Sequence, residues 1–295
     1  MTQSLAPRAP VRKSSSTAPW PARDPSGPPA PLSRLPRGAL ADVRGLLFDV
    51  DDTLTSHGEL TSEAYAALHR ARAAGLWLCA VTGRGAGWCD LMARLWPVHA
   101  VVGETGGFVY WKTPEGRVRE QFLRSAEQLA ADRKLRDRVV REVLQRVPGA
   151  RLSRDSAFRI CDVAFDLVED GPALDAEAAA QIRALLQRRG LTAAQSSVHI
   201  NTWVGAYGKR ELVEEVVEEV FGARERKEPL HLCYVGDSRN DGPLFAYFPR
   251  SVGVANVAPL LEELRGRSQA PALITRKAAG AGFVELVDRI LHDRG

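Results

Sequence analysis

Cysteine, methionine and aromatic residues are scarce in this 295-residue chain, which has four cysteines, two methionines and 7% aromatic residues. The cysteines are scattered without CxxC spacing, which excludes the common zinc-site patterns. Cys79 and Cys233 lie inside apolar runs, so we expect buried free thiols rather than disulfides. Such thiols favour a reducing, cytoplasmic compartment. No apolar run reaches the roughly 20 residues that span a bilayer, so no membrane partner is expected.

The net charge of +4 is unevenly distributed along the chain. Residues 1–40 contain six basic residues and one acidic residue, a balance of +5, which leaves −1 for the remainder. The basic character therefore belongs to the N-terminal segment. Without a basic surface on the main body, we expect no nucleic-acid partner.

The first forty residues also differ from the rest in composition. They are rich in Pro, Ala, Ser and Arg, hold half of the prolines and lack an apolar period. This composition predicts a disordered tail over residues 1–40. The absence of an apolar core segment argues against a secretory signal. A targeting function and a plain disordered extension both remain open.

Strand and helix patterns alternate through the remaining chain. Residues 41–107 and 206–295 show apolar strands followed by amphipathic helices with short joins, the pattern of a doubly wound parallel sheet. Residues 108–205 break this rhythm and predict an inserted α+β cap domain. Within the cap we predict helices at 126–147 and 175–189 and strands at 108–111, 118–122, 157–161, 163–168 and 197–202. The first two of these strands are expected to form a hairpin.

Acidic residues follow two of the predicted core strands. Asp49, Asp51 and Asp52 come directly after the first apolar run, and Asp237 and Asp241 come after a later one. The carboxyl ends of parallel strands form the ligand-binding edge of an open α/β sheet. Carboxylates crowded at that edge are costly unless a cation neutralises them. The sequence therefore predicts a divalent-metal site.

Four short motifs then stand in a recognisable order. Residues 49–53 read Asp-Val-Asp-Asp-Thr, residues 82–84 read Thr-Gly-Arg, Lys209 follows the insert, and residues 236–241 read Gly-Asp-Ser-Arg-Asn-Asp. This set resembles the four motifs of the haloacid dehalogenase (HAD) superfamily, whose first motif is DxDxT. The resemblance covers the chain from about residue 43 to its end.

The position and length of the insert resemble the C2B cap of HAD subfamily IIB. That subfamily includes sucrose-phosphate, trehalose-phosphate and mannosyl-phosphoglycerate phosphatases and the Cof-type phosphatases. Residues 103–107 resemble its ENGA segment, with Thr105 in place of the usual Asn. Residues 275–282 resemble its glycine-rich C-terminal segment, but the acid usually found between the glycines is absent.

The resemblance implies a role for each motif residue. Asp49 would be the nucleophile that forms an aspartyl-phosphate, and Asp51 would protonate the leaving group and later activate water. Thr82 and Gly83 would bind phosphate oxygens, and Lys209 would neutralise charge. Mg²⁺ would be the cofactor, and its expected ligand residues are Asp49, Asp51 through its backbone carbonyl, Asp237 and Asp241.

Substrate contacts are expected mainly from the cap. Arg84 either contacts the substrate phosphate or forms a surface ion pair. Arg159 belongs to a polar cluster with Arg154, Asp155 and Asp162. Alternation along the last cap strand places His199, Asn201 and Trp203 on one face, which either binds a sugar or simply meets solvent or the core domain.

These features together predict a Mg²⁺-dependent phosphatase of a small phosphorylated metabolite, most simply a sugar phosphate. Two alternatives stay open: a phosphotransferase of the phosphomannomutase type, and a catalytically silent sugar-phosphate-binding protein. Retention of Asp49, Asp51, Lys209 and Asp237 argues against the silent protein. The sequence does not indicate the identity of the sugar or the oligomeric state.

Overall fold

The computed structural model describes Asp24 and residues 26–295. The strands of this part, in chain order, are β1 (Ala30–Pro31), β2 (Gly45–Phe48), β3 (Trp77–Val81), β4 (Ala100–Gly103), β5 (Phe108–Lys112), β6 (Val118–Phe122), β7 (Val163–Asp166), β8 (Thr192–Gln195), β9 (His199–Trp203), β10 (Leu232–Gly236), β11 (Arg250–Gly253) and β12 (Leu273–Ile274).

The helices of the same part are α1 (Ser62–Ala73), α2 (Ala86–Leu95), α3 (Ala126–Arg146), α4 (Ala176–Arg188), α5 (Lys209–Phe221), α6 (Ala223–Lys227), α7 (Gly242–Tyr247), α8 (Leu261–Gly266) and α9 (Ala279–Arg294). Short 3-10 turns include Arg154–Phe158 in the insert and Arg239–Asp241 after β10. None of the helices within residues 26–295 combines the length and apolar character needed to cross a membrane.

Two sheets organise the molecule. The large sheet has the order β1-β12-β11-β10-β2-β3-β4-β5-β6 and is parallel from β1 to β4. The small sheet, β7-β9-β8, is antiparallel and lies within the insert. This arrangement confirms the predicted α/β core with an inserted α+β cap.

The large sheet is covered on both faces, which explains its continuous apolar strands. Along β2, Leu46 and Phe48 pack in one core with α1 and α9, whereas Leu47 packs in the opposite core with α5 and α7. Successive side chains of a strand point to opposite faces, so this alternation follows directly from the geometry. The cap has its own core, in which α3 and α4 pack on the small sheet.

The predicted disordered tail is wrong for residues 30–40. Strand β1 pairs with β12 at the sheet edge, and Leu32, Leu35 and Leu40 are buried in the main core. Arg289 of α9 donates hydrogen bonds to the carbonyls of Leu32, Leu35 and Pro36. A few irregularly spaced leucines are enough to order this segment. Arg289 of α9 donates the hydrogen bonds that its irregular backbone needs. Residues 1–23 and 25 of the predicted tail lie outside the described residues.

The cap is also shorter than predicted at its N-terminal side. The hairpin β5–β6 continues the large sheet antiparallel to β4, so the insert proper begins after Phe122. The predicted strand at 157–161 is wrong, because Ala157 and Phe158 belong to a 3-10 turn and the amides of Ile160 and Cys161 donate to a side chain of the core. Strand β8 has the sequence Thr-Ala-Ala-Gln, whose weak apolar alternation gave no signal.

Candidate active site

Asp49 and Asp237 meet because β2 and β10 are adjacent parallel strands. Val235 of β10 is in register with Phe48 of β2, and the Asp49 amide donates to the Val235 carbonyl at 2.9 Å. Asp241, on the turn after β10, joins them, and carboxylate oxygens of Asp49, Asp237 and Asp241 lie within 4.8 Å of one another. The structure therefore brings together three of the acidic residues that the sequence places after strand ends.

Lys209 lies among these carboxylates. Its Nζ donates to Asp49 Oδ1 at 2.6 Å and to Asp241 Oδ1 at 2.8 Å, with Asn240 Oδ1 at 3.3 Å. Helix α5 starts at Lys209 immediately after the cap, and Glu211 stabilises that start by accepting from the Gly208 amide. The lysine is 2% exposed, so its charge acts in a poorly screened environment.

Asp241 is held on both of its oxygens. Oδ1 accepts from Lys209 and from the Tyr234 hydroxyl at 2.6 Å, and Oδ2 accepts from the Ser238 amide at 3.0 Å and the Asp237 amide at 3.1 Å. Burial by itself raises the pKa of Asp241, but Lys209, Tyr234 and the Ser238 amide together bring it below its ordinary value. Asp241 is therefore an ionised support for Lys209.

Asp49 and Asp237 carry more negative charge than Lys209 neutralises. Burial, with a smaller contribution from neighbouring carboxylates, raises the pKa of Asp49 to about 8 despite Lys209. Burial and the charges of Asp49 and Asp241 raise the pKa of Asp237 well above its ordinary value. A group of buried carboxylates whose pKa values are raised in this way is a site suited to a cation.

Two residues hold Asp237 in place. The Thr53 hydroxyl donates to its Oδ1 at 3.1 Å, and Asn256 Nδ2 donates to its Oδ2 at 3.2 Å. Asn256 also donates to the carbonyl of Asp52 at 3.0 Å, which links the segments after β2 and β10. Sequence reasoning missed Asn256, although the strand-end argument applied to β11 would have found it.

The side chain of Asp51 is turned toward Arg84 rather than toward the three grouped carboxylates. Arg84 Nε lies 3.0 Å from both Asp51 oxygens, and Nη2 lies 2.6 Å from Oδ1. On its other side Arg84 pairs with Glu169 of the cap, through Nη1 at 2.9 Å and Nη2 at 2.6 Å. Of the two roles left open for Arg84, this structure contains the ion pair.

Thr82 and Gly83 form a tight loop between β3 and α2. The Thr82 hydroxyl accepts from the Arg84 amide at 3.1 Å. The Gly83 carbonyl accepts from Arg159 Nη1 at 2.9 Å and from Asn201 Nδ2 at 3.0 Å. A Cβ on Gly83 would lie only 3.0 Å from Asn201 Oδ1, so the close approach of the cap favours glycine here.

The three cap residues predicted to bind substrate are all buried, and two of them, Arg159 and Asn201, contact this loop. Arg159 also pairs with Asp155 at 2.8 Å and with Asp162 at 2.8 Å, and Asn201 donates to Asp162 at 2.7 Å. His199 Nε2 lies 3.1 Å from Glu169 without the alignment of a hydrogen bond. The polar face of β9 therefore meets the core domain, one of the two alternatives for this face.

Glu104, which sequence reasoning did not single out, ties the cap to the core. Its carboxylate accepts from the amides of Ala86 at 2.9 Å, Ile160 at 2.9 Å and Asp162 at 3.0 Å, and also from Cys161. Burial and Asp162, against these hydrogen bonds, raise its pKa to about 7. Its sequence signal was its place in residues 103–107, which resemble the ENGA segment.

Two cavities flank the site where the cap meets the core. One of about 260 Å³ is bounded by Asp52, Asp237 and Asn256 on the core side and by the turn after β8 on the cap side. The other, of about 870 Å³, lies beside Lys209 and has Trp203 and Tyr207 in its wall. Both are large enough to admit small molecules next to the acidic group.

Solved structures with this fold span nearly the whole chain. A Thermoplasma acidophilum protein is 18% identical with a TM-score of 0.65, covering 85% of this chain and 99% of its own. The sucrose-phosphatase of Synechocystis, solved with sucrose and phosphate, is 14% identical with a TM-score of 0.58, covering 83% and 97%. A HAD/COF-like hydrolase from Plasmodium vivax is 15% identical with a TM-score of 0.61, covering 85% and 96%.

The comparisons by sequence gave no further relatives. No family model matches the chain, and no curated protein matches it. At sequence identities this low, the structural similarity is evidence of a shared fold only. The chain therefore has the fold of the haloacid dehalogenase hydrolases with an inserted cap, which confirms at the level of fold the resemblance carried by its four motifs.

Proposed function

We propose that the protein is a Mg²⁺-dependent phosphatase that hydrolyses a phosphate monoester of a small metabolite, most simply a sugar phosphate. The observation that carries the proposal is Lys209, buried between Asp49 and Asp241 and next to Asp237. Phosphoryl transfer of this kind requires a nucleophilic carboxylate, a fixed cation and two further acids at one sheet edge.

The residues present fit a magnesium ion. Three buried carboxylates lie together and one lysine pairs with two of them, and hard oxygen ligands are those that Mg²⁺ prefers. Asp49, Asp237 and the backbone carbonyl of Asp51 would hold the ion, with Asp241 supporting it directly or through water. When bound, the ion would neutralise charge on the phosphoryl oxygens and on the approaching carboxylate.

The chain's own residues would carry the two chemical steps. Asp49 attacks phosphorus and becomes an aspartyl-phosphate, while Asp51 gives its proton to the departing alcohol oxygen. Asp51 then takes a proton from the water that hydrolyses the intermediate. Lys209, the Thr82 hydroxyl and the Gly83 amide bind the phosphoryl oxygens and hold them in line.

A sugar phosphate is the proposed substrate class for two reasons. The Synechocystis protein of the same fold was solved with sucrose and phosphate. In this chain, Trp203 and Tyr207 border the cavity beside Lys209, and aromatic rings suit the apolar faces of sugars. We also propose a cytoplasmic setting, because all four cysteines are free and buried, as the sequence predicted.

The test is phosphate release from a panel of sugar phosphates and phosphorylated glycosides, with Mg²⁺ or with EDTA, using the wild type and Asp49→Asn. We expect Mg²⁺-dependent release from at least one panel member and none from the variant. The matched control is Asp288→Asn, a surface carboxylate paired with Arg70, which should retain activity. Isomerised sugar phosphate without free phosphate would replace the proposal by a phosphotransferase, and turnover in EDTA would refute the metal requirement.

A further inference from the structure

The cap carboxylate of Glu169 and Asp51, the residue expected to protonate the leaving group, pair with the same guanidinium group, that of Arg84. We infer that Glu169 makes the enzyme select substrates whose leaving alcohol is uncharged and reject those whose leaving alcohol carries a carboxylate or a second phosphate. This inference rests on the proposed phosphatase function and adds a specificity-determining residue to it.

Arg84 fixes the position of Glu169 relative to Asp51. Nη2 of Arg84 lies 2.6 Å from Asp51 Oδ1 and 2.6 Å from Glu169 Oε1, so the two carboxylates flank a single nitrogen atom. The oxygen that Asp51 protonates belongs to the leaving alcohol, and in this proposal the carbon atoms attached to it extend toward Arg84 and Glu169. A charge on that alcohol would be felt directly by Glu169.

Glu169 is held in place by its backbone as well. Asp166, at the end of β7, accepts hydrogen bonds from the amides of Val168 at 3.1 Å, Glu169 at 2.7 Å and Asp170 at 3.2 Å. Arg151 in turn pairs with Asp166 through Nε at 2.7 Å. The loop that presents Glu169 is thus ordered by a carboxylate anchor, which makes its charge a fixed feature of the site.

The neighbouring arginines are already neutralised. Arg84 pairs with Asp51 and Glu169, and the fully buried Arg159 side chain pairs with Asp155 and Asp162. Four carboxylates thus surround two guanidinium groups among the described residues, and an excess of one negative charge remains even when Asp51 carries the proton that its proposed role requires. A second anion on the substrate would have to break an existing ion pair or remain unpaired near Glu169, and both are unfavourable.

An uncharged polyol meets no such penalty. Its hydroxyl groups can donate to Glu169 and exchange hydrogen bonds with His199, whose Nε2 is buried without an aligned partner among the described residues. The charge of the phosphoryl group does not enter this discrimination, because Lys209 and the metal site would neutralise it. The discrimination therefore acts on the alcohol alone.

The experiment compares a pair of substrates that differ mainly in the leaving group. Glycerol 3-phosphate releases an uncharged alcohol, and 3-phosphoglycerate releases a carboxylate-bearing one of the same size. For the wild type we expect kcat/KM to be at least about tenfold higher with glycerol 3-phosphate. Glu169→Gln, which removes the charge and keeps the shape, should bring this ratio to about threefold or less, mainly by improving turnover of 3-phosphoglycerate.

The matched control is Glu142→Gln, another cap carboxylate that pairs with an arginine through both of its oxygens, Arg189 in this case. It should keep the wild-type ratio, and Glu169→Ala should shift the ratio in the same direction as Glu169→Gln. Melting temperatures verify that the variants are folded.

The outcomes separate this inference from the proposed function. Phosphate release with an unchanged ratio in Glu169→Gln, or a wild type that prefers 3-phosphoglycerate, would overturn the role of Glu169 while the phosphatase stands. A preference for the anionic alcohol would point instead to the cation Arg183, which lies in the wall of the larger cavity, as the residue that meets the leaving group. No release by the wild type from these two substrates or from the sugar-phosphate panel would refute the phosphatase itself.

Discussion

Lys209 and Asp241 form a buried ion pair of 2.8 Å between the first residue of α5 and the turn after β10. The two residues are 32 positions apart in the chain. The same Lys209 ammonium also donates to Asp49 Oδ1 at 2.6 Å, so the pair with Asp241 holds the lysine against Asp49. Asp241 therefore fixes the cation beside the carboxylate that is proposed to attack phosphorus.

Asp241→Asn should abolish most of the proposed activity. An asparagine side chain has one acceptor oxygen, so either Lys209 and Tyr234 or the amides of Asp237 and Ser238 would face its NH₂ group. We expect kcat/KM for phosphate release to fall by roughly a hundredfold or more. The measurement is steady-state kinetics with saturating Mg²⁺ beside Asp288→Asn, and near-normal kinetics in Asp241→Asn would contradict this role.

Glu104→Gln should loosen the cap from the core. The carboxylate serves four amides, of Ala86, Ile160, Cys161 and Asp162, and a single amide oxygen cannot replace it. A buried donor left without a partner costs about 1–3 kcal/mol, so the melting temperature should fall. Glu120→Gln on the exposed strand β6 is the control. Equal melting temperatures for the two variants would show that the cap is held by other contacts.

The Arg84–Glu169 pair should make stability depend on pH in the acidic range. The contact with His199 and the hydrogen bonds from Arg84, against burial, lower the pKa of Glu169 from 4.5 to about 2. Because the folded-state pKa is the lower one, the stabilisation is complete above about pH 4.5 and is lost as the pH falls towards 2.

The difference in unfolding free energy between the wild type and Glu169→Gln should therefore shrink on acidification. Chemical denaturation at about pH 6 and about pH 3 measures it. Since the Glu169 side chain is 30% exposed, we expect a modest effect. A difference that stays constant or grows as the pH falls would be inconsistent with this ion pair.

Leu40→Ala should destabilise the whole domain, although Leu40 lies in the Pro-rich segment that the sequence assigned to disorder. Leu40 is fully buried, and removing its side chain leaves a cavity worth about 2–5 kcal/mol. Leu95→Ala, at a position 69% exposed, should change stability by less than about 0.5 kcal/mol. Denaturant unfolding compares the two, and equal stabilities would mean that residues 30–40 add nothing to the core.

Local sequence patterns predicted the core elements and the acidic part of the site well. Apolar runs ending in aspartate identified β2 and β10, and adjacent parallel strands necessarily bring Asp49 and Asp237 to one edge. The amphipathic pattern of α5 placed Lys209 at a helix start. These predictions succeeded because the apolar periods of strands and helices are patterns of neighbouring residues.

Predictions about the cap contacts depended on information that the local sequence does not contain. Arg159 was assigned to substrate binding because it is a polar residue in the cap, whereas its guanidinium is buried between Asp155, Asp162 and the Gly83 carbonyl. Glu169 gave no signal, since an isolated acid in a loop resembles any solvated one, and the resemblance of residues 103–107 to the ENGA segment did not indicate what Glu104 binds. Their partners are 85 and 56–58 positions away in the chain.

The sequence by itself determined the α/β core, the inserted cap and the chemical kinds of residue at the strand ends, because hydrophobic period and motif spacing act over a few residues. The tertiary structure alone decided which charges neutralise which. Lys209 pairs with Asp49 and Asp241 and Arg84 pairs with Asp51 because the core folds these distant segments together, and Arg84 pairs with Glu169 because the cap packs on the core. Electrostatic interactions depend on distance and burial in space, and no one-dimensional pattern specifies either.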